Sequence, residues 1–298
     1  MAIETHGSAG PPGATVDPLQ RSSPPVVASF PPRFPFLMRT GVPPQPRKRR
    51  SSALLPAVAL GVALLALWQA LTQSGAVSTF VLPAPASVAQ AFWSALRDGV
   101  LPSYASVTLA ESIAGCALGV LVALPLGYAI ARSTLLARMV QPYLAASQAL
   151  PAVALAPLLA LWLGYGLPPV IVLCALIVFF PMVITTTLGL RSLDHAVVDA
   201  ARVDGAGRLD LLRHIELPLA LPSILAGLRT SLTLSITGAV VGEFVVGGRG
   251  LGELLVIDRS FADSAGVFAT LLMLALMASL LYGIARLAER QFSYLEAL

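Results

Sequence analysis

The sequence predicts an all-α membrane protein with six transmembrane helices, and three observations support that fold class. Of the 298 residues, 56% are hydrophobic, and the mean hydropathy is +0.81. Only 11% are charged, whereas soluble domains carry about 25%. The apolar residues cluster in runs of about 20, the length that a helix needs to cross about 30 Å of hydrocarbon. These properties exclude a disordered chain, a coiled coil and an ordinary globular enzyme.

The first fifty residues differ in composition from the rest of the chain. They hold 11 of the 24 prolines and no apolar run of spanning length, so we expect 1–50 to be a disordered, proline-rich cytoplasmic tail. A basic run at 47–50 precedes the first apolar run. A signal peptide is the alternative interpretation, but its apolar region is usually about 7–15 residues long and the run here is longer. Residues 51–298 are therefore predicted to form one transmembrane domain.

Six apolar runs define the predicted spans, and basic residues orient them. The spans are expected at about 53–72, 105–131, 140–163, 167–190, 223–246 and 266–288. With the N-terminus inside, twelve Lys and Arg residues flank the cytoplasmic ends and only three lie in outer loops. Cytoplasmic loops carry an excess of basic residues. Both termini are therefore predicted to be cytoplasmic.

Five prolines lie within the predicted spans. Each removes a backbone hydrogen bond and bends its helix, which membranes allow beside other helices or a water-filled cavity. Such bent helices around a cavity are typical of a transporter. The five are Pro125, Pro142, Pro151, Pro157 and Pro181.

The cytoplasmic loop at about 191–222 is long, polar and helix-prone. It predicts two short helices with a hinge at Gly205, where a turn excludes a side chain. Asp194 is expected to cap the first helix, and Asp199 is a second candidate for a cap or first-turn acid. A soluble partner protein could bind such a pair of helices at the membrane surface and push on it.

The same loop also contains a small-residue face and two prolines near its C-terminal end. Ala200 and Ala201 present a small-residue face that another helix could approach closely. Pro218 and Pro222 are expected to stop the second helix before the fifth span.

This loop resembles the EAA loop of ABC importer permeases, written E-A-A-x3-G-x9-I-x-L-P. The spacing matches at Ala200, Ala201, Gly205, Ile215, Leu217 and Pro218, with Asp199 in place of Glu. In that family the loop docks into a groove of the ATP-hydrolysing subunit. The resemblance therefore identifies these seven residues as the expected ATPase-coupling site.

Three further stretches resemble the nitrate, taurine and aliphatic-sulfonate branch of these permeases. They are residues 82–92, the run from Pro151 to Gly164, and Gly242-Glu243-Phe244 followed by Gly250-Leu251-Gly252. The branch implies a small anion such as a sulfonate, taurine or nitrate as cargo. Because some relatives import pyrimidine-type or other vitamin precursors, that alternative stays open.

The resemblance also implies an assembly. It predicts the type I importer permease fold in a bacterial inner membrane, a permease homodimer in contact with lipid, two ATPase subunits, and a periplasmic or lipid-anchored solute-binding protein. No nucleic acid is implied. A phosphate-binding P-loop needs a lysine after glycines, and the only lysine, Lys48, lies between two arginines. We therefore expect no enzymatic activity and no cofactor in this chain, with ATP and Mg²⁺ bound by the partner.

Two acids lie within predicted spans. Ionisable groups there are costly and usually face protein or water, so Glu111 and Glu243 are candidates for lining or closing the outer mouth of a substrate pathway. These two acids also leave open the alternative that the protein is an ion-coupled secondary transporter. An intramembrane enzyme is the third alternative, but His195 and His214 lie in the polar loop without a metalloprotease motif.

Overall fold

The computed structural model describes residues 54–148 and 151–295, and the proline-rich tail predicted at 1–50 lies outside them. Within those ranges the chain forms helices and no strand. The helices are α1 Leu54–Gln73, α2 Pro85–Arg97, α3 Val100–Arg132, α4 Thr134–Gln148, α5 Ala152–Leu163, α6 Leu167–Arg191, α7 His195–Val203, α8 Arg208–Leu211, α9 Leu217–Val246, α10 Leu251–Ser260 and α11 Ser264–Leu295. A π-helical turn, Leu212–Glu216, joins α8 to α9.

Four helical segments in the described ranges are long and apolar enough to cross a membrane. They are Val100–Arg132, Leu167–Arg191, Arg208–Val246 and Ser264–Gln291. They coincide with the predicted second, fourth, fifth and sixth spans, because uninterrupted apolar runs of this length form helices in lipid. The first predicted span corresponds to α1, which has 20 residues.

The predicted third span is not one continuous helix. The run at 140–163 is divided between α4, which ends at Gln148, and α5, which begins at Ala152. Pro151 precedes α5 in an extended conformation, with φ −67° and ψ 120°. Proline lacks the N–H that a continuous helix would require and disfavours the helical conformation of the residue before it. The proline predicted to bend this span therefore interrupts it.

The centre of the bundle is formed by α3, α6 and α9. Gly115 and Gly119 on α3 face α6 so closely that a Cβ at Gly119 would lie 2.7 Å from the carbonyl oxygen of Ala175. This spacing of four places both glycines on one side of α3. Small residues allow membrane helices to approach and gain dispersion contacts.

Buried hydrogen bonds also join these helices. Ser235 Oγ of α9 donates to the carbonyl oxygen of Ser112 in α3 at 2.6 Å. Thr187 Oγ1 of α6 donates to the carbonyl oxygen of Gly127 in α3 at 3.2 Å. Such bonds satisfy hydroxyls where no water is present and fix the register of the bundle.

Two short helices were absent from the predicted spans, α2 and α10. In α10, Leu251 and Leu254 are buried and pack with Leu101 of α3 and Met277 of α11. The connection after the fifth span is therefore a helix docked onto the bundle.

Candidate functional site

The first helix of the cytoplasmic loop, α7, begins at the predicted cap. Asp194 accepts a hydrogen bond from the backbone N–H of Ala196 at 2.9 Å, which satisfies one of the free donors of the first turn. Asp199 lies in the middle of α7 and does not cap it. Its Oδ1 is 3.0 Å from Nη1 of Arg202, and both side chains are more than half exposed.

Gly205 ends α7 by adopting a left-handed conformation, with φ +90°. The N–H of Ala206 donates to the carbonyl oxygen of Ala201, and the N–H of Gly205 donates to that of Arg202. This pair of bonds is the Schellman motif, which favours glycine at the left-handed position. The turn predicted at Gly205 is therefore present, and its conformation explains why glycine is found there.

The second half of the loop differs from the prediction. Pro218 and Pro222 do not stop the helix, because α9 begins at Leu217 and continues through both. The N–H of Leu217 donates to the carbonyl oxygen of Leu212, five residues earlier, which widens the turn ahead of Pro218. Proline is tolerated in the first turn of a helix, and a π turn shifts the bonding register. The loop therefore joins the fifth span directly.

The seven residues matched to the coupling motif form an accessible surface. Asp199, Ala200, Gly205 and Leu217 are exposed, and Ala201, Ile215 and Pro218 are half-buried. Two neighbouring apolar side chains are also exposed, Val203 at 87% and Leu209 at 65%. We call the residues 199–205, together with Leu209, the loop surface. Exposed apolar groups outside the spans are typical of a protein contact.

An ion pair connects this loop to the end of α3. Oε1 of Glu216, in the π turn, is 2.6 Å from Nη2 of Arg132, and the Glu216 side chain is only 5% exposed. No local spacing in the sequence indicates this pair, since its two members are 84 positions apart and belong to different elements. The pair fixes the loop relative to the bundle.

The two acids predicted within the spans lie together in the fold. Glu243 of α9 and Glu111 of α3 are each 1% exposed. Oε1 of Glu243 accepts a hydrogen bond from Thr108 Oγ1 at 2.7 Å, and its Oε2 accepts one from the N–H of Gly252 at 2.6 Å. Thr108 Oγ1 also accepts the N–H of Leu251 at 2.8 Å. Glu243 and Thr108 together therefore bind the first turn of α10.

The Glu111 carboxyl group lies near that of Glu243. Neither of its oxygens has a hydrogen bond of normal geometry within the described residues. A side chain at Gly250 would collide with the Glu243 carboxyl group. The two acids and the glycines after the fifth span therefore form one buried junction of α3, α9 and α10. Their role in a substrate pathway stays a prediction.

The described residues contain no group of three or more His, Cys, Asp and Glu side chains that could hold a metal ion. A packed bundle of helices that are long and apolar enough to span a membrane, with an exposed helical loop, defines an integral membrane protein of the kind that transport components form. The profile of one protein family, described as the binding-protein-dependent transport system inner membrane component, matches residues 115–294. The chain belongs to this family.

Individual relatives agree with that assignment. A riboflavin transport system permease from Chloroflexus aurantiacus is 44% identical over 79% of this chain and 89% of its own length. An aliphatic sulfonates transport permease from Bacillus subtilis is 32% identical over 80% and 84%. A formylaminopyrimidine transport permease from Halalkalibacterium halodurans is 30% identical over 77% and 91%.

Solved structures show the same fold. An inward-facing methionine ABC transporter matches with a TM-score of 0.60 at 20% identity, over 65% of this chain and 96% of that chain. An amino acid ABC transporter matches with a TM-score of 0.54 at 18% identity, over 67% and 98%. These structures confirm the type I importer permease fold, and the family match with the relatives confirms the inner-membrane location and the role as an ABC importer permease. Family membership favours this role over an ion-coupled transporter or an intramembrane enzyme.

Proposed function

We propose that this permease moves its solute by coupling the loop surface to a separate ATP-hydrolysing subunit. The single observation that carries the proposal is that the first part of the seven-residue motif, from Asp199 to Gly205, is exposed on and just after the capped helix α7. Asp194 and Gly205 fix the two ends of α7, so its exposed face is presented in one conformation. A preorganised helix loses little conformational entropy when it enters a groove.

The mechanical connection to the membrane is direct. Residues Arg208–Val246 form one helical segment of 39 residues, so movement of the loop reaches the fifth span without an intervening flexible linker. The Arg132–Glu216 pair ties the same segment to α3. In the proposed cycle, closure of the ATPase subunits carries the loop with it and opens the bundle outward, and hydrolysis restores the inward-open state. The chain supplies the path, and ATP and Mg²⁺ belong to the partner.

The proposed assembly contains a second permease, which the large exposed apolar area favours. Leu161, Trp162 and Tyr165 near the end of α5 are between 71% and 84% exposed, and such side chains require lipid or another protein. We propose a homodimer, with both termini cytoplasmic and a solute-binding protein delivering cargo from the outer side.

We propose a neutral heterocycle of the flavin or pyrimidine class as cargo, ahead of a sulfonate, taurine or nitrate. The 44% identical relative is named for riboflavin, and the relatives named for sulfonate and formylaminopyrimidine are 30–32% identical. The arginine within the fifth span, Arg229, is 2.7 Å from Glu289. Its charge is therefore neutralised and is poorly suited to attract an anion.

Co-purification tests the coupling proposal. The permease, its ATPase subunit and its binding protein are expressed together, and the ATPase recovered per permease is measured. We expect Val203→Asp to reduce recovery at least tenfold, because it places a charge in an apolar contact. Val81→Asp is the matched control, since Val81 is 66% exposed but lies in the segment between α1 and α2. Equal recovery of ATPase by both variants would contradict the proposal.

Cargo is tested on the same complex in vesicles. ATP hydrolysis is measured with the binding protein and riboflavin, a pyrimidine, taurine or an alkanesulfonate. Stimulation by a heterocycle supports the assignment, whereas stimulation by taurine or a sulfonate alone contradicts it.

A further inference from the structure

A cavity of about 650 Å³ lies between the ends of α3 and α6, the start of α4, and α7. Its lining is strongly basic. Four arginines line it, with His195 and a single carboxylate, Glu216. The arginines are Arg132, Arg138, Arg191 and Arg202. We call this cavity the arginine cleft.

The acids near the arginine cleft do not balance its charge. Glu216 pairs with Arg132, and Asp199 pairs with Arg202. Arg191 donates to a backbone carbonyl, that of Ile130, at 3.0 Å. Arg138 has no hydrogen bond or ion pair within the described ranges. Two guanidinium groups thus face one cavity without a carboxylate partner, an arrangement that is favourable when an oxyanion lies between them.

The position of the cleft indicates the source of such an anion. Arg132 is the last residue of α3 and Arg191 is the last residue of α6. Both helices span the membrane, so their ends lie at the depth of the lipid headgroups. Basic pockets at this depth on the cytoplasmic side suit the phosphate of an anionic lipid. The side assigned here is the one that the distribution of basic residues predicts to be cytoplasmic.

The helix α4 provides a second, independent feature. Thr134, Arg138 and Gln141 line the cleft. The side chains of Leu135, Met139 and Tyr143, four residues apart, form an apolar stripe on an adjacent face of α4 and are 59–75% exposed. A polar face beside an apolar one is the pattern of a helix at the headgroup boundary.

We propose that the arginine cleft binds the phosphate group of an anionic phospholipid, with the acyl chains along Leu135 and Met139. An anionic lipid headgroup and free phosphate both present a phosphate oxyanion to the cleft. The apolar stripe on α4 favours the lipid over free phosphate. Arg138 and Arg191 hold the phosphate bidentately, as guanidinium groups do. The lipid would also occupy the space beside α7, so its binding bears on the position of the loop surface.

Native mass spectrometry of the full-length permease, delipidated in mild detergent, tests this proposal. The protein is titrated with phosphatidylglycerol and with phosphatidylcholine, and the first bound lipid is quantified. Arg138→Gln is expected to weaken phosphatidylglycerol binding about fivefold, since one basic residue near a membrane surface contributes about that factor. Arg138→Lys is expected to retain part of the affinity.

Arg286→Gln is the matched control, because Arg286 is also exposed near a helix end but does not line the cleft. The proposal is overturned if Arg138→Gln and Arg286→Gln bind phosphatidylglycerol equally. It is overturned as a lipid site if inorganic phosphate displaces phosphatidylglycerol completely, which would identify a site for a free anion. A Met139→Cys variant that forms a disulfide-linked dimer would instead assign the stripe to contact with a second permease.

Discussion

The carboxylate of Glu243 binds the backbone N–H of Gly252 at 2.6 Å, which ties the end of the fifth span to the first turn of α10. Because Glu243 is 1% exposed and also accepts from Thr108, both of its oxygens are committed within the fold. Such an acid organises the junction of three helices, and this arrangement leads to the first prediction.

Glu243→Gln is expected to destabilise the protein by about 1–3 kcal/mol, because an amide cannot accept both hydrogen bonds and one buried donor loses its partner. Thermal unfolding in detergent measures the effect. Glu253→Gln, in the helix α10 whose first turn Glu243 binds, is the matched control and is expected to change stability little. If the two variants unfold at the same temperature, the junction does not depend on the carboxylate.

The conformation of Gly205 predicts a graded series of effects. Gly205→Ala is expected to cost about 1–2 kcal/mol locally, because a left-handed conformation is strained for residues with a Cβ. Gly207→Ala is the control, since φ at Gly207 is −66°. Gly205→Trp also places a large side chain on the loop surface, so uptake should be abolished while membrane insertion remains normal. Normal uptake by Gly205→Trp would refute the docking role of this surface.

Asp199→Glu is expected to be tolerated. The side chain is exposed and its pairing with Arg202 is a surface contact, which contributes about 0–1 kcal/mol. The substitution also restores the glutamate of the family motif. Uptake and ATP hydrolysis by the reconstituted complex should both remain near the unmodified level. A complete loss of coupling in Asp199→Glu would mean that the shorter carboxylate makes a specific contact.

Asp258 in α10 predicts a pH dependence. Burial raises the pKa of its carboxyl group, and Asp263 raises it further, while a hydrogen bond from Thr270 opposes the shift. The folded state therefore retains the proton to higher pH than the unfolded chain does. This contribution to stability is complete below the ordinary value of 3.8 and is lost as pH rises through the folded pKa.

Asp258→Asn should therefore raise the unfolding temperature near neutral pH, with the difference from the unmodified protein disappearing on acidification. Unfolding temperatures measured across that range provide the test. The exposed Asp98→Asn is the control. A larger difference at acidic than at neutral pH would reverse the sign and contradict the assignment.

Breaking the Arg132–Glu216 pair should be costly. Arg132→Met leaves the buried Glu216 carboxylate without its charged partner, a change that costs about 3–5 kcal/mol in buried pairs and less here, because Arg132 is one-third exposed. The double variant Arg132→Met/Glu216→Met is expected to recover much of the loss. If the double variant is as unstable as the single one, packing rather than charge holds the two groups.

The spans were predictable because their signal is local. An apolar run such as 167–190 dictates a helix wherever lipid is the solvent, and α6 matches it to within a residue. The cap at Asp194 and the turn at Gly205 were predictable for the same reason, since both depend on bonds to near neighbours.

The remaining features depend on contacts between distant residues or on competing local effects. Thr108 meets Glu243 only after α3 and α9 pack, so no spacing in the chain indicates the bond. At Pro218, the π turn outweighed the usual effect of proline. At Pro151, the break in the backbone outweighed the hydropathy of the run. The role of the seven coupling residues stays a prediction, because it concerns a partner.

The continuity of the segment Arg208–Val246 has a geometric consequence. At about 1.5 Å per residue, its 39 residues extend roughly 58 Å, with the coupling motif near one end and Glu243 near the other. A tilt of about 5° about the middle of such a rod displaces its two ends by about 2.5 Å in opposite directions. A displacement of the cytoplasmic end therefore produces a displacement of equal size and opposite direction at the far membrane face.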